Sequence, residues 1–393
     1  MIGNPIHRVT ICGGGNVGHV LACELAGIAE LSVTMLVSSS GRAKLWDSPS
    51  GRPVITLTEG TGKRSGLLDK VTHDPRDAVE GSDLVILAVP ASLVASTLKR
   101  IAPYCTRSTL LGAIPGHGGF NWQVTSVFNN RGFQPTIFGF DRSPWTCRVL
   151  EQGRSALVLG RIDGVGIYVE PRRETDVVVP TLASILDVEI NPLPSALHAI
   201  LGATNQFVHP AIYYGKLRNW DGKPFNSPPM AYEHTGLPAA EAIVGADREC
   251  ARVREELDRL DPVLALGRMP PIAQRLGGKP SKPDLEAEAV ARLLSSKPSL
   301  QGIKLPCYET VEGWMPDFSS RFLTEDIPFG LCIVKSIAEL MNIPTPWIDE
   351  LVTWGQKKMG KEYIVAGHLT GRDVAESGSA WNFQPRSRSG LLT

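Results

Sequence analysis

The chain has 393 residues, and its 40 basic residues balance its 40 acidic ones, giving a formal net charge of zero. Nucleic-acid-binding proteins usually carry a basic excess, so this balance argues against that class. The seven cysteines include no CxxC pair, which argues against a zinc site or a disulfide framework and favours a reducing, cytoplasmic setting. A chain of this length predicts two domains.

The N-terminal half predicts alternating strands and helices. A strand at 8–12 starts so early that we expect no signal peptide, and the run at 83–89 is almost wholly apolar, as in a parallel strand covered on both faces. The other predicted strands are 31–37, 70–73, 109–114, 136–140, 156–159 and 165–169, and the predicted helices are 17–29, 91–101 and 121–129. This α/β alternation predicts a doubly wound, Rossmann-type sheet.

Near residue 190 a proline-rich break precedes a mainly helical half. Apolar residues recur at helical spacing over 195–214, 239–260, 284–295, 328–341 and 346–360. We therefore predict an NAD(P)-binding Rossmann domain over 1–190 and a mainly α-helical second domain over 191–393. We expect a loosely held end from about Ser377, and no run of eighteen apolar residues predicts a membrane span.

A glycine-rich turn joins the first strand to the first helix, with the pattern G-x-G-x-x-G formed by Gly13, Gly15 and Gly18. These glycines respectively allow a tight turn, close approach of a pyrophosphate, and close helix–strand packing. Asn16 and Val17 open the helix, whose free N–H groups attract phosphate. A bare match is weak, but its position between a strand and a helix predicts dinucleotide binding.

The end of the second predicted strand bears on the choice of cofactor. An acid there would bind the ribose 2′-hydroxyl of NAD(H), whereas an arginine accommodates the 2′-phosphate of NADP(H). The chain has no acid there and instead has Ser38, Ser39, Ser40 and Arg42. A solvated turn is the alternative reading of these residues. We favour NADP(H) over NAD(H).

Two further loops follow predicted strands of the first domain. Val89 and Pro90 end the most apolar strand, and His117 lies in a glycine-rich loop after the next one. Ligands of open α/β sheets bind beyond the carboxyl ends of the strands, so both loops are candidate ligand contacts. By position alone they could equally be simple turns.

The second domain contains a histidine, His209, and a charged segment with Arg321, Glu325 and Asp326. Taken alone, a histidine on an amphipathic segment is more often a hydrogen-bonded core residue than a catalyst. The charged segment would be a helix start, with Asp326 as its cap before Pro328.

Together these segments resemble the octopine/nopaline (opine) dehydrogenase family, and most closely its octopine dehydrogenase branch. The likeness spans nearly the whole chain. It rests on motifs distributed along the sequence: CGGGNVGH at 12–19, AVPA at 88–91, SPWTCR at 143–148, FVHPAIYYG at 207–215, NWDGKP at 219–224, PDFSSRFLTEDIPFG at 316–330, GKEY at 360–363 and LTGRD at 369–373. The FVHP motif at 207–210 and the RFLTEDIP motif at 321–328 are specific when they occur together behind a Rossmann domain.

The resemblance implies an enzyme that joins an amino acid to a 2-oxo acid through an imine and reduces the imine with NAD(P)H. It implies that His209 is the acid–base group, that Asp326 is its partner and that Arg321 binds a substrate carboxylate or senses the cofactor pyrophosphate. An imidazole suits this role because it exchanges protons near neutral pH. It further implies small-molecule substrates for a monomer or a homodimer, with no metal.

The resemblance also suggests substrate contacts from His117, Asp141, Arg142, Cys147 and Asn205. Pyruvate-using members carry an amide and a threonine where this chain has His117 and Arg142, so the extra cation could favour a dicarboxylic 2-oxo acid. Asp141 matches an acidic position suited to a basic amino acid. Alternatively, Arg142 could pair internally with Asp141 or Glu151, although the side chains of neighbours such as Asp141 and Arg142 point to opposite faces in an extended strand.

Two other functions stay open at this stage. A dehydrogenase of the 6-phosphogluconate or hydroxyacyl type also has a Rossmann domain followed by helices, but the motifs of those families are not found here. A non-catalytic NAD(P) sensor would keep the fold without the chemistry. The presence of His209, Asp326 and Arg321 weighs against such a sensor, since sensing needs no proton transfer.

Overall fold

The structure is a computed structural model that describes residues 5–48 and 51–383. Its contacts divide the chain into two compact units, Met1–Ile200 and Leu201–Thr393. The division lies about ten residues after the predicted one. The reason is that the short strand Ile190–Pro192 still hydrogen bonds to the strand Val165–Glu170 of the first unit.

Within its described residues, the first unit contains twelve strands and six α-helices, followed by a seventh helix in which the division falls. The strands are β1 (Arg8–Cys12), β2 (Ser32–Leu36), β3 (Val54–Glu59), β4 (Gly62–Leu67), β5 (Lys70–Thr72), β6 (Leu84–Leu87), β7 (Leu110–Ala113), β8 (Thr136–Phe140), β9 (Trp145–Glu151), β10 (Ser155–Arg161), β11 (Val165–Glu170) and β12 (Ile190–Pro192). The helices are α1 (Asn16–Ala26), α2 (Ser40–Lys44), α3 (Pro75–Val79), α4 (Ala91–Ile101), α5 (Phe120–Phe128), α6 (Thr175–Leu186) and α7 (Ala196–Gly202).

The main sheet has eight strands in the order β12-β11-β8-β7-β6-β1-β2-β5. All neighbours are parallel except β8 and β11, which are antiparallel. Strand order reverses between β1 and β6, and every residue of β6 is buried. Such a reversal opens a crevice at the carboxyl ends of the two strands, which is where ligands of doubly wound sheets bind. The predicted Rossmann-type fold is confirmed.

A second sheet, in the order β4-β3-β10-β9, was largely missed by the sequence prediction. It consists of two antiparallel hairpins whose inner strands, β3 and β10, pair in parallel. Only part of β10 was predicted, because β4 and β9 are mostly exposed and lack a clear apolar alternation. Helix α6 was missed as well.

The second unit is mainly helical, as predicted, with one small hairpin. Its elements are α8 (Asn205–Leu217), α9 (Leu237–Leu260), α10 (Ile272–Arg275), α11 (Glu286–Ser296), β13 (Cys307–Thr310), β14 (Gly313–Pro316), α12 (Arg321–Thr324), α13 (Cys332–Met341) and α14 (Pro346–Met359). Within the described residues, no helix combines the length and the apolar character needed to cross a membrane.

Three predicted elements differ from the structure. The single helix expected over 195–214 is two helices, α7 and α8. The helix expected over 328–341 begins at Cys332, after a π-helical turn at Ile327–Leu331. The end expected to be loose from Ser377 is packed as far as it is described, since Ser379 is fully buried. The rest of that predicted segment, 384–393, lies outside the described residues.

Candidate active site

The glycine turn of the first unit has the geometry that a dinucleotide requires. Gly13 has a φ of +117°, and a Cβ there would lie 2.5 Å from the carbonyl oxygen of Ala88, in the loop after β6. A Cβ on Gly18 would overlap the carbonyl oxygen of Gly13 at 1.8 Å. Gly15, just before α1, is exposed with nothing within 4 Å of its Cβ position, so its backbone is open to a phosphate.

A buried histidine and a glutamine brace this turn. The fully buried His19 pairs through Nδ1 with the carbonyl oxygen of Gly15 at 2.9 Å, and its Nε2 accepts a hydrogen bond from Gly153 N at 2.8 Å. Burial lowers the pKa of His19, which favours the neutral ring. The Nε2 of Gln152 donates to the carbonyl oxygen of Gly14 at 2.7 Å. The β9–β10 turn therefore fixes the shape of the glycine turn.

The first residues of α1 are linked to strand β9 as well. Asn16 Oδ1 accepts a hydrogen bond of 2.9 Å from Val149 N, and Val17 is half-buried in the first helical turn. Cys147 lies two residues before Val149 on the same strand and is half-buried. The open backbone at Gly15 and the braced turn fit the pyrophosphate of NAD(P).

The segment after β2 is exposed at every predicted cofactor residue, namely Ser38, Ser39, Ser40 and Arg42. Ser39 caps the short helix α2, with its Oγ accepting from Arg42 N at 3.3 Å. The cap uses one hydroxyl and leaves the Arg42 guanidinium in solvent. The segment is thus both an ordinary helix start and a cluster of three hydroxyls with a cation.

The two loops at the carboxyl ends of β6 and β7 differ in their relation to the glycine turn. Val89 borders the turn directly, because its Cγ1 lies 2.7 Å from the Cβ position of Gly13. Pro90 is exposed at the start of α4, and His117 is half-buried in the loop after β7. Both loops lie at the edge of the sheet where the glycine turn lies.

Arg142 pairs with Asp141, which is the alternative that the sequence left open beside a substrate contact. Arg142 Nε donates to Asp141 Oδ2 at 3.2 Å, and Asp141 Oδ1 accepts from Gly166 N at 3.0 Å. The two residues lie just after β8 ends at Phe140, so the alternation of an extended strand does not apply to them. Both carboxylate oxygens of Asp141 therefore already have partners within the unit.

A separate cluster in the second unit surrounds His209. Its Nδ1 lies 2.7 Å from Asp326 Oδ2, and its Nε2 lies 3.0 Å from the hydroxyl oxygen of Tyr232. The ring stacks on Phe322, with a centroid separation of 3.7 Å and an interplanar angle of 4°. His209 is only 7% exposed and Asp326 only 9%, so the pair is shielded from water. The Asp326 carboxylate therefore forms a hydrogen bond with His209. Its side chain does not cap a helix, which was the alternative interpretation of the sequence.

The π-helical turn brings Asp326 to α8, the helix that carries His209. Pro328 has no N–H to donate to the helical ladder, and Leu331 N instead donates to the carbonyl oxygen of Asp326, five residues back, at 3.0 Å. A Cβ on Gly330 would lie 2.4 Å from Cβ of Gln206 on α8. Glycine at 330 therefore permits this close approach. Pro328 and Gly330 together allow the backbone to place the Asp326 carboxylate beside α8.

Tyr232 was missed by the sequence analysis. It lies in the long connection between α8 and α9, where no periodic pattern indicates that a side chain turns inward. Burial and the negative charge of Asp326 raise the pKa of its hydroxyl, while the charge of Arg321 opposes that rise. The phenol therefore stays protonated at cellular pH, and it donates to an imidazole whose other nitrogen faces a carboxylate.

Arg321 and Asn205 are exposed residues that accompany this cluster. Arg321 precedes Phe322 on α12 and makes no ion pair with any residue in 5–48 or 51–383. Asn205 begins α8 and lies one helical turn before His209, on the same face. In those same ranges no group of three or more His, Cys, Asp or Glu side chains could hold a metal ion.

Comparison with known proteins bears on both units. Residues 192–359 match the family model for the NAD/NADP octopine/nopaline dehydrogenase α-helical domain, and residues 9–114 match Ketopantoate reductase PanE/ApbA. The chain is 30% identical to the octopine dehydrogenase of Mizuhopecten yessoensis over 98% of both chains. The chain belongs to the octopine/nopaline dehydrogenase family.

Other members of the family support the same assignment. The tauropine dehydrogenase of Arabella iricolor is 30% identical over 93% of this chain and 95% of its own. A solved octopine dehydrogenase with NADH and L-arginine superposes with a TM-score of 0.86 at 27% identity, covering 98% of each chain. Family membership makes the protein an opine dehydrogenase, an oxidoreductase that uses NAD or NADP.

Proposed function

We propose that His209 is the acid–base group with which this opine dehydrogenase condenses an amino acid with a 2-oxo acid, before NAD(P)H reduces the resulting imine. The observation that carries the proposal is the buried 2.7 Å contact between His209 Nδ1 and Asp326 Oδ2. An anionic acceptor at Nδ1 keeps the ring proton on that nitrogen and leaves Nε2 unprotonated, so that Nε2 can accept another proton.

The reaction needs two proton movements that one imidazole can provide. The amino group must first lose its ammonium proton to attack the keto carbon, and His209 accepts that proton. The carbinolamine must then lose water, and the imidazolium returns the proton to the departing hydroxyl. Asp326 stabilises the imidazolium between the two steps, and the stacked ring of Phe322 keeps the imidazole plane fixed.

The cofactor would be held by the glycine turn of the first unit. Gly13, Gly15 and Gly18 shape the turn, Asn16 and Val17 begin the helix whose N–H groups face phosphate, and Val89 and Pro90 border the turn. When bound, the reduced nicotinamide supplies the hydride that converts the imine to the secondary amine.

Arg321 is proposed to bind a substrate carboxylate. Its guanidinium is exposed, has no ion-pair partner within 5–48 or 51–383, and has an electrostatic effect on Tyr232 of the His209 cluster. A planar guanidinium can hold a carboxylate through two parallel hydrogen bonds. Asn205, one turn before His209, is proposed as a second polar contact to the substrate.

The finer cofactor and substrate preferences rest on exposed residues of the first unit. We propose NADP(H) over NAD(H) because Ser38, Ser39, Ser40 and Arg42 offer hydroxyls and a cation with no acid. His117 and Cys147 are proposed contacts of the acidic substrate. The extra cation at Arg142 favours a dicarboxylic 2-oxo acid only if a substrate anion competes with Asp141, its partner at 3.2 Å.

A matrix assay tests the proposed reaction. NADH and NADPH oxidation would be followed with L-arginine, L-alanine, glycine and taurine against pyruvate, 2-oxoglutarate and oxaloacetate, with product masses confirming the N-(carboxyalkyl) amino acid. We expect at least one pair to oxidise cofactor only when both substrates are present. Oxidation with a 2-oxo acid alone would contradict reductive condensation.

Two properties of the whole protein stay predictions. We infer a cytoplasmic location, since reduced cysteines suit that compartment, and a monomer or homodimer. Fractionation of the source cells and light scattering of the purified protein measure them. A periplasmic or extracellular location, or a larger assembly, would contradict these predictions.

A further inference from the structure

The Nε2 atom of His209 is covered by a side chain. Because Asp326 holds the ring proton on Nδ1, Nε2 acts as the acceptor and the Tyr232 hydroxyl donates to it at 3.0 Å. His209 is 7% exposed and Tyr232 is 6% exposed. A proton can therefore reach Nε2 from a substrate only if Tyr232 moves aside or transfers the proton itself.

The surroundings of Tyr232 oppose its displacement. On one side Ala231 N donates to the carbonyl oxygen of Ile303 at 2.7 Å, and on the other Thr235 N donates to the carbonyl oxygen of Tyr232 at 3.1 Å. Ser295 Oγ lies 3.5 Å from the same oxygen. With the backbone tied on both sides and the ring buried, rotation of the side chain would leave a void in a packed interior.

We propose that Tyr232 is a catalytic residue of this site, whose hydroxyl passes the proton between the substrate amino group and His209 Nε2. This inference rests on the proposed function of His209. An N–H bond of the substrate ammonium breaks as its proton joins the Tyr232 oxygen, while the former hydroxyl proton forms the new N–H bond at Nε2. The electron pair of the broken N–H bond becomes the lone pair of the amine, and the positive charge moves to the imidazolium beside Asp326.

The reverse transfer serves the loss of water. The imidazolium returns a proton to the Tyr232 oxygen, and the hydroxyl proton passes to the carbinolamine hydroxyl, which leaves as water. Tyr232 is neutral before and after each transfer. The raised pKa of the phenol, caused first by burial and then by Asp326, fits this role because a lasting phenolate is disfavoured.

Tyr213 offers a matched control. It is a fully buried tyrosine of the same unit, and its hydroxyl donates to the backbone carbonyl oxygen of Asp317 at 3.0 Å. Tyr213→Phe therefore removes an equally buried hydroxyl that does not contact the imidazole. The assay uses the amino acid and 2-oxo acid pair that the wild type converts fastest, and NADH affinity is measured by fluorescence.

We expect Tyr232→Phe to lower kcat by about a hundredfold, the scale of a lost proton-transfer group, with NADH affinity unchanged. Tyr213→Phe should stay within about threefold of wild type, below that scale. If His209→Ala loses activity while Tyr232→Phe keeps wild-type kcat, Tyr232 is no relay and the proposed role of His209 stands. If His209→Ala itself keeps wild-type kcat, the proposed function fails.

A second measurement uses the wild-type protein, so its result does not depend on whether a variant folds. In mixtures of H₂O and D₂O, the single-turnover condensation rate depends on the number of protons in motion. A relay through Tyr232 moves two protons together and gives a curved dependence on the deuterium fraction. A straight line would mean one moving proton and would overturn the proposal.

Discussion

The two units each contain a buried histidine, and the two rings have opposite kinds of partners. Both nitrogens of His19 bond to backbone groups of Gly15 and Gly153, which cannot gain or lose protons at cellular pH. The nitrogens of His209 face the Asp326 carboxylate and the Tyr232 hydroxyl. A ring held by backbone shapes a loop, whereas a ring between a carboxylate and a phenol can exchange protons.

Burial alone does not separate the histidine that shapes a loop from the one that we propose to be catalytic. His19 is fully buried and His209 nearly so. The difference lies in whether a partner can stabilise the imidazolium, which a carboxylate such as that of Asp326 can do and a peptide N–H cannot. The following predictions test that difference, beginning with the largest expected effect.

Asp326→Asn should lower kcat by about a hundredfold or more, because an amide neither fixes the Nδ1 proton nor stabilises an imidazolium. Asp317→Asn is the matched control, since its carboxylate bonds to Ser319 rather than to His209. Steady-state kinetics at saturating substrates measure both variants. Similar losses in the two variants would indicate damage to the whole segment rather than loss of a partner.

His19→Ala should weaken NADH binding by about tenfold, because it leaves the buried Gly153 N–H unpaired and loosens the glycine turn. The kcat at saturating NADH should change little, in contrast to Asp326→Asn. The exposed His73 provides a control through His73→Ala. Binding is measured by fluorescence titration, and a fall in kcat with unchanged affinity would remove the distinction between the two histidines.

Ser39→Asp combined with Arg42→Ala should lower the ratio of kcat/KM for NADPH to that for NADH by about tenfold, the scale of one charge-assisted contact. The added acid repels a 2′-phosphate and accepts a hydrogen bond from a 2′-hydroxyl. Lys44→Ala, an exposed cation on the same short helix, is the control. An unchanged ratio would make the segment an ordinary helix start.

Glu170 extends the comparison to a half-buried carboxyl with a neutral partner. Burial raises its pKa to about 7, and Asn121 donates to it at 3.3 Å. Since the folded pKa is raised, the stabilisation from this group is complete below about pH 4.5 and is lost as the pH rises through about 7.

Glu170→Gln should therefore match wild-type stability near pH 4 and exceed it at pH 8, by at most about 3 kcal/mol. Denaturant unfolding at the two pH values measures the difference. The control is Glu80→Gln at an exposed position, which should match the stability of the wild type at both pH values. A Glu170→Gln variant less stable than wild type at pH 8 would mean that the carboxylate is stabilised in the fold.

The two sites differ in how far the sequence predicts them. The glycine turn is one short segment whose backbone geometry follows from the positions of Gly13 and Gly18, so local rules suffice. The His209 cluster joins three distant segments, and family resemblance supplied His209 and Asp326 while nothing marked Tyr232. The π-helical turn escaped prediction because apolar spacing around Pro328 matches an ordinary helix.

The central claim is that His209 exchanges protons with the substrates and takes no part in holding the cofactor. The direct test measures kcat and the NADH dissociation constant on one preparation of His209→Ala, with the substrate pair that the wild type converts fastest. We predict that kcat falls by about a hundredfold or more while the dissociation constant stays within about twofold of wild type. A variant that keeps wild-type kcat at saturating NADH and binds NADH more weakly would contradict the account.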